Sequence, residues 1–340
     1  MTSSTTHRVI LDCDPGNGIP ATDVDDGLAL GLLLASPSIR IEAVTIVTGN
    51  THRDVGYTVA RTMLDEVGVE VPVHPGAAQA LVEPPDRWSA RRETERVSNE
   101  ARKLWRDVPA PRRFDLPHHL DAAAEIVRRV SAEPGEITLV AVGPLTNIAH
   151  ALQLRPAIAH EIKRLVIMGG AFHVPTHLQE LNFGVDPEAA RAVLRSGANI
   201  TLVPLDVTLQ TSLTLDDLAR LDDVPTRLAS YLVSTTAPWI RYGMIERGRD
   251  GCPLHDPLAA ALLLDTDLVE TVSQSVDVQL HGAARSRPLR WKADSTLFAP
   301  GMTVPDIPEA LVAVSVDNTR LLDVLMSALS QEGLPRRTEG

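Results

Sequence analysis

Cysteine is scarce in this chain, with only Cys13 and Cys252 among 340 residues. Two thiols cannot build a disulfide framework, and such usage fits a reducing compartment. Aromatic residues are equally thin at 3%, which leaves few platforms on which single-stranded bases could stack. Basic charge falls short of acidic, 32 Lys and Arg standing against 44 Asp and Glu for a formal net charge of −12. Phosphate backbones select basic surfaces, so no nucleic-acid partner is expected. No apolar run approaches the roughly 18 residues of a membrane span. The opening MTSSTTHRV has no charged segment leading into an apolar one. We therefore expect a cytoplasmic protein without a membrane partner.

Hydrophobic residues at 44% and charged residues at 22% are ordinary for a soluble globular chain. Short β-branched runs alternate with longer helical patterns. Strands are expected at Arg8–Cys13, Ile39–Thr48, Ile137–Val142, Arg164–Met168 and Asn199–Leu205. Helices are expected at Asp25–Ala35, Asp54–Val67, Asp121–Ala132, Thr146–Leu154 and Pro187–Ser196. Asp186-Pro187 carries a cap followed by the proline that suits a first helical position. Near-continuous Val/Ile/Leu strands between helices indicate a mostly parallel sheet covered on both faces. From Leu213 onward the pattern is richer in helix, with strands near Val276–Leu280, Pro288–Lys292 and Leu311–Val316. At roughly 150 residues per domain the length allows two domains, but α/β domains often exceed this, and we expect one. The fold class is α/β, an open and mostly parallel sheet flanked by helices. The domain is expected over residues 8–331, with flexible termini at 1–7 and 332–340.

Glu83–Asp115 breaks the alternation, with 7 acids and 9 bases in 33 residues around Trp88 and Trp105. It reads as a solvated helical excursion pinned by two aromatics, or as a lid over a site.

The chemistry concentrates where the first strand ends. Asp12-Cys13-Asp14-Pro15-Gly16 is followed by Asp23-Val24-Asp25-Asp26-Gly27, five carboxylates in 15 residues. Anions at this density repel one another, and hard oxygen donors select Ca²⁺ or Mg²⁺ over zinc. Taken singly, Asp25 or Asp26 would be a plain helix cap. An EF-hand is excluded because the sixth position from Asp12 is Asn17 and the preceding segment is a strand. An Asp-x-Asp phosphohydrolase motif is disfavoured by the Pro-Gly that follows. Two further constellations lie downstream. Leu254-His255-Asp256-Pro257 adds a hard ligand beside a titratable imidazole. Gln179-Glu180-Leu181-Asn182 offers a Glu and an Asn, two apart, suited to polyol hydroxyls.

Together these segments resemble the inosine-uridine-preferring nucleoside hydrolase family. The resemblance runs from Asp12-Cys13-Asp14-Pro15-Gly16 and Asp25-Asp26 through Thr48-Gly49-Asn50, Val142-Gly143-Pro144-Leu145-Thr146-Asn147, Met168-Gly169-Gly170, Glu180-Leu181-Asn182-Phe183, Leu205-Asp206-Val207-Thr208 and Leu254-His255-Asp256-Pro257. It spans about residues 8 to 330, in order. What it implies is Ca²⁺ held by Asp14, Asp26, Asp256 and the main-chain carbonyl of Val142. Asp25, Asn50, Met168, Glu180 and Asn182 match residues that grip the ribose, and Asp12 supports the cluster. The implied reaction is hydrolysis of the N-glycosidic bond of a small-molecule ribonucleoside, with Asp14 as general base on a metal-bound water. His255 would protonate the leaving base. Nearby carboxylates would favour an oxocarbenium-like transition state. The resemblance also implies a homodimer or homotetramer.

Two departures bear on substrate choice. Asn17–Val24 is an insertion ahead of Asp25-Asp26, and it leaves Asp23 as a competing ligand. The usual Val-His-Gly segment is missing, its region being taken by Glu83–Asp115; His173 and His177 are candidate substitutes. Two other functions stay open: a divalent-metal phosphohydrolase using Asp12 or Asp14, and a nucleoside- or sugar-binding protein that has lost turnover.

Overall fold

The β-branched runs form strands in a single mixed sheet. In the computed structural model, which describes residues 6–82, 88–117, 122–292, 294–295 and 304–331, the strands are β1 (His7–Cys13), β2 (Ile39–Ile46), β3 (Val73–Pro75), β4 (Ile137–Ala141), β5 (Arg164–Met168), β6 (Ile200–Val203), β7 (Val269–Val278), β8 (Pro288–Trp291) and β9 (Glu309–Val316). Their order is β3-β2-β1-β4-β5-β6-β9-β7-β8. Every pairing from β3 across to β9 is parallel, while β7 runs antiparallel to β8 and β9. The expected α/β fold, one domain with an open and mostly parallel sheet, is what forms.

Alternation along the strands sends successive side chains to two cores. Val9 and Leu11 of β1 and Val140 of β4 pack into one, whereas Ile10, Leu139 and Ala141 pack into the other. Helices cover both faces, as an all-apolar parallel strand requires. The helix Pro187–Leu194 starts as the sequence suggests, with the Asp186 side chain accepting from the Ala189 N–H and proline in its first turn. The helix Arg53–Val67 stops where Gly68 takes a left-handed conformation at φ 77°, a cap that glycine adopts without steric penalty.

Several boundaries differ from expectation. β2 stops at Ile46 and β6 at Val203, and Leu205 instead opens the short helix Leu205–Thr208. β7 begins at Val269 because Glu270, Thr271, Ser273 and Gln274 belong to a solvent-facing antiparallel segment whose polar residues hide the strand. β3 is three residues ending in Pro75, too short to leave a pattern. His7 opens β1 rather than belonging to a terminal tail. Residues 1–5, 332–340, 83–87 and Asp121, the expected start of one helix, lie outside the described residues. Among the described residues no helix is long and apolar enough to cross a membrane.

The strand order places the site. β1 has β2 on one side and β4 on the other, so successive strands depart in opposite directions from this pair. In open α/β sheets, the carboxyl ends flanking such a switch point leave a crevice between the loops.

Candidate active site

Asp14 is the first residue beyond β1, at the mouth of that crevice. The loops leaving β2 and β4 close on it through glycines. A Cβ on Gly49 would stand 1.9 Å from its Oδ2, and one on Gly143 would stand 2.8 Å from its Oδ1. The Asn50 backbone N–H donates to Oδ2, while Oδ1 is buried with no hydrogen-bond partner among the described residues.

Two helices bring the other acids. Asp25 and Asp26 occupy the first turn of the helix Asp25–Ala35, and His255 and Asp256 the first turn of the helix His255–Ala261. Helix N-termini carry partial positive charge, which favours carboxylates there. The Asp14 N–H donates to Asp26 Oδ1 at 2.8 Å, the Asn50 amide to Asp26 Oδ2 at 3.2 Å, and the Asp256 N–H to Asp25 Oδ2 at 3.2 Å. Carboxylate oxygens of Asp25, Asp26 and Asp256 lie within 4.8 Å of one another, all buried. Burial, and then the charge of the neighbouring acids, pushes Asp14, Asp25 and Asp256 well above the usual carboxylate range. Burial raises Asp26 only to about 6, because the Asp14 N–H and the Asn50 amide oppose it.

Buried carboxylates without a counter-charge are unstable as anions. The donor set is all oxygen, and one acid oxygen is orphaned, so these residues fit a hard divalent cation. Of the expected ligands, Asp26 and Asp256 fall within the close group. Asp14 adjoins it through its bond to Asp26. The Val142 carbonyl accepts from the Asn182 side-chain amide at 2.6 Å. Asp25, expected among the ribose-gripping residues, is a third member of the close group.

The remaining expected residues line one pocket of about 530 Å³, which includes Asp25, Asn50, Val142, Met168, Glu180, Asn182, His255 and Asp256. Glu180 accepts from the N–H groups of Gly170, Asn182 and Phe183 at 2.7, 2.7 and 3.0 Å, which locks its carboxylate in place. The Asn182 amide also donates to the Met168 carbonyl at 3.1 Å, tying this loop to the end of β5. Asp12 sits behind the pocket. Its Oδ1 accepts from Thr45 at 2.5 Å and Asn147 at 2.7 Å, which couples β1, β2 and the helix Thr146–Leu154. Burial raises its carboxyl to about 7 against those two hydrogen bonds.

His255 Nδ1 lies 2.6 Å from the Thr208 hydroxyl. Burial lowers its pKa to about 4, so its ring is neutral near pH 7. Of the two loop histidines, only His177 is among the residues that line the pocket, and both line a neighbouring surface groove.

The two departures from the expected pattern meet at the rim. A Cβ on Gly18 would lie 3.1 Å from the Pro109 carbonyl, and Arg96 Nε approaches the Thr22 hydroxyl at 3.4 Å. The charged excursion folds as helices Ser89–Arg96 and Asn99–Leu104. It is anchored by buried Trp105, which meets Tyr242 edge-on at 5.9 Å. Trp88, Arg92 and Glu95 line the pocket, as do Trp239, Tyr242, Glu246, Arg247 and Arg249. Sequence reasoning missed the latter group. Trp239 and Tyr242, three residues apart on one helix, were the available signal.

Residues 9–323 match the family model described as inosine-uridine preferring nucleoside hydrolase. The chain belongs to that family. It is 32% identical over 337 residues to the pyrimidine-specific ribonucleoside hydrolase RihA of Salmonella arizonae, covering 96% of this chain and 99% of that one. Among solved structures, a plant nucleoside hydrolase superposes with a TM-score of 0.81 at 29% identity, covering 95% of this chain and 99% of that one. A purine-preferring ribonucleoside hydrolase from Gardnerella vaginalis gives 0.77 at 31% identity, with 95% and 98% covered. This nucleoside hydrolase is thus about equally similar to a pyrimidine-specific and a purine-preferring enzyme.

Proposed function

We propose that this nucleoside hydrolase cleaves the N-glycosidic bond of ribonucleosides to ribose and free base in a calcium-dependent reaction serving nucleoside salvage. The observation that carries the proposal is the convergence of Asp14, Asp25, Asp26 and Asp256, all buried, at the carboxyl end of the sheet with no basic side chain hydrogen-bonded to them among the described residues.

Asp14, Asp26, Asp256 and the Val142 carbonyl would hold the cation, with Asp25 close enough to share it. Ca²⁺ is favoured because carboxylate and carbonyl oxygens suit a hard, flexible coordination sphere. When bound, such an ion anchors vicinal hydroxyls and lowers the pKa of water. Asp14 serves as general base. Its Oδ2 is fixed by the Asn50 N–H, and its Oδ1 is left without a partner, ready to accept the proton of an attacking water. Asp25, Asn50, Met168, Glu180 and Asn182 orient the ribose, and Asp12 keeps the first strand in register with its neighbours. The surrounding carboxylates favour positive charge growing on the sugar. His255 assists the leaving base. In the tautomer in which the Thr208 hydroxyl donates to Nδ1, the ring proton sits on Nε2 and can hydrogen-bond an acceptor on the departing base.

The phosphohydrolase reading is supported less, because Asp12 is held by Thr45 and Asn147 behind the pocket. The two cysteines are free and buried, which supports a reducing, cytoplasmic setting. A homodimer or homotetramer belongs to the same proposal. Product analysis over purine, pyrimidine and 2′-deoxy nucleosides tests the reading. Ribose and base should appear from ribonucleosides, cease with chelator and return with Ca²⁺. Full turnover of metal-free protein would refute the ion's role, and release of phosphate from a phosphate ester would favour the alternative.

A further inference from the structure

The pocket is electrostatically two-sided. Its floor carries the carboxylates that would favour a cationic transition state. Its outer wall, built from the helices Ser89–Arg96 and Arg227–Arg247 and the turn after the latter, carries Arg92, Arg247 and Arg249 against Glu95 and Glu246. Guanidinium groups in a site whose transition state is positive disfavour the reaction unless they face negative charge.

Each of the three is held in place. Arg92 Nη1 donates to the Gly49 carbonyl at 2.6 Å. Arg247 lies over the Trp239 ring at 4.7 Å and the Tyr242 ring at 5.9 Å and meets Glu95 at 3.5 Å. Arg249 follows Gly248, whose φ is 60°, and its N–H returns to the Gly243 carbonyl at 3.2 Å. Arg249 makes no ion pair among the described residues and is only half-buried at the pocket wall. The rings of Trp88, Trp239 and Tyr242 border the same wall, the last two stacked on each other and buried.

We propose that this wall selects ribosides whose base bears an anionic substituent, a carboxylate being the group that a guanidinium fork fits best. The inference rests on the hydrolase reading, with the base facing this wall and His255, in the first turn of a separate helix, beside it. A phosphate on the ribose is the less suitable source of negative charge, because the ribose side of the pocket presents the Glu180 carboxylate.

The test uses Asp14→Asn protein with calcium present, and titration calorimetry with 5-carboxyuridine, 5-carboxamidouridine and uridine 5′-monophosphate. The first two differ in little besides charge. The carboxylate should bind about tenfold tighter than the carboxamide, equivalent to about 1.4 kcal/mol. Adding Arg249→Gln or Arg92→Gln should shrink the preference to about threefold or less, and added salt should weaken it in the parent protein. Equal or tighter binding of the carboxamide overturns the proposal. So does a preference that survives both arginine variants, or tightest binding by the monophosphate. If either arginine variant fails to fold, the charge preference and its salt dependence in the parent protein decide. Ribose release from uridine, inosine and 5-carboxyuridine by the wild-type protein is measured alongside. Its absence with the charge preference intact removes the hydrolase reading and leaves the selectivity standing.

Discussion

Two groups of buried carboxylates sit on β1 and β2 and the elements beside them, and they are treated in opposite ways. Toward the start of β1, Glu42 is the extra residue of a bulge, since Val9 pairs with Ile41 and Ile10 with Ala43. The bulge turns its side chain onto Arg8 Nε at 2.7 Å and Arg129 Nη1 at 2.9 Å. Arg129 and Arg128 also hold Glu125, at 2.5 and 2.6 Å. At the far end of β1, Asp14, Asp25, Asp26 and Asp256 are just as buried, yet their polar partners are backbone N–H groups and the Asn50 amide. Arg92 comes near but donates to a carbonyl instead. Charge that serves the fold is neutralised within the chain, whereas the acid cluster has no hydrogen-bonded basic side chain among the described residues. The difference separates structure from chemistry on a single sheet.

Four experiments break or sharpen this contrast. The largest effect is expected from Asp14→Asn, which should lower ribonucleoside hydrolysis by about 10²- to 10⁴-fold, the usual worth of a positioned general base. The fold should be retained, because an uncompensated buried charge is removed. Near-normal turnover in a steady-state assay would sink the role given to Asp14. Gly49→Ala comes next. Its Cβ would fall 1.9 Å from Asp14 Oδ2, so activity should drop by about 10² with a smaller change in melting temperature. An unaffected rate would mean that the Asp14 position is not critical.

In the paired region the readouts should reverse. Glu42→Gln leaves Arg8 and Arg129 facing a neutral group and should destabilise the protein by about 3 kcal/mol in urea unfolding, while kcat/KM stays near wild type. A catalytic defect without a stability loss would overturn the division. The smallest effect concerns Glu125, whose burial would raise its pKa but whose hydrogen bonds from Arg128 and Arg129 hold it down to about 2. A carboxylate whose folded pKa lies below its unfolded value of 4.5 stabilises the fold above that value, and the contribution fades as pH falls toward 2. Glu125→Gln should therefore flatten the acid side of the stability profile between those values. An unchanged slope would remove Glu125 from the account.

The cluster and the paired region also differ in how visible they are in the chain. Asp14, Asp25 and Asp26 stand out because five acids fall within 15 residues, and the strand and helix that carry them have plain apolar patterns. Glu42 is one acid in an ordinary strand pattern, and nothing local announces that a bulge directs it toward Arg129, 87 positions away. β7 was only partly legible, since its solvent-facing residues are polar.

Local pattern was enough to determine the alternating architecture, the placement of Asp14, Asn50 and Met168 at strand ends, and the family to which the chain belongs. Those properties depend on neighbours in the sequence and on motifs of fixed spacing. Tertiary structure alone decided that Asp25 joins Asp26 and Asp256 in one close group, that Asp12 stands behind the pocket, and that burial lowers the His255 pKa. It also decided that arginines from two distant segments share the pocket wall. Each of these depends on which groups share a desolvated space, and that is set by how the helices cross the ends of the sheet.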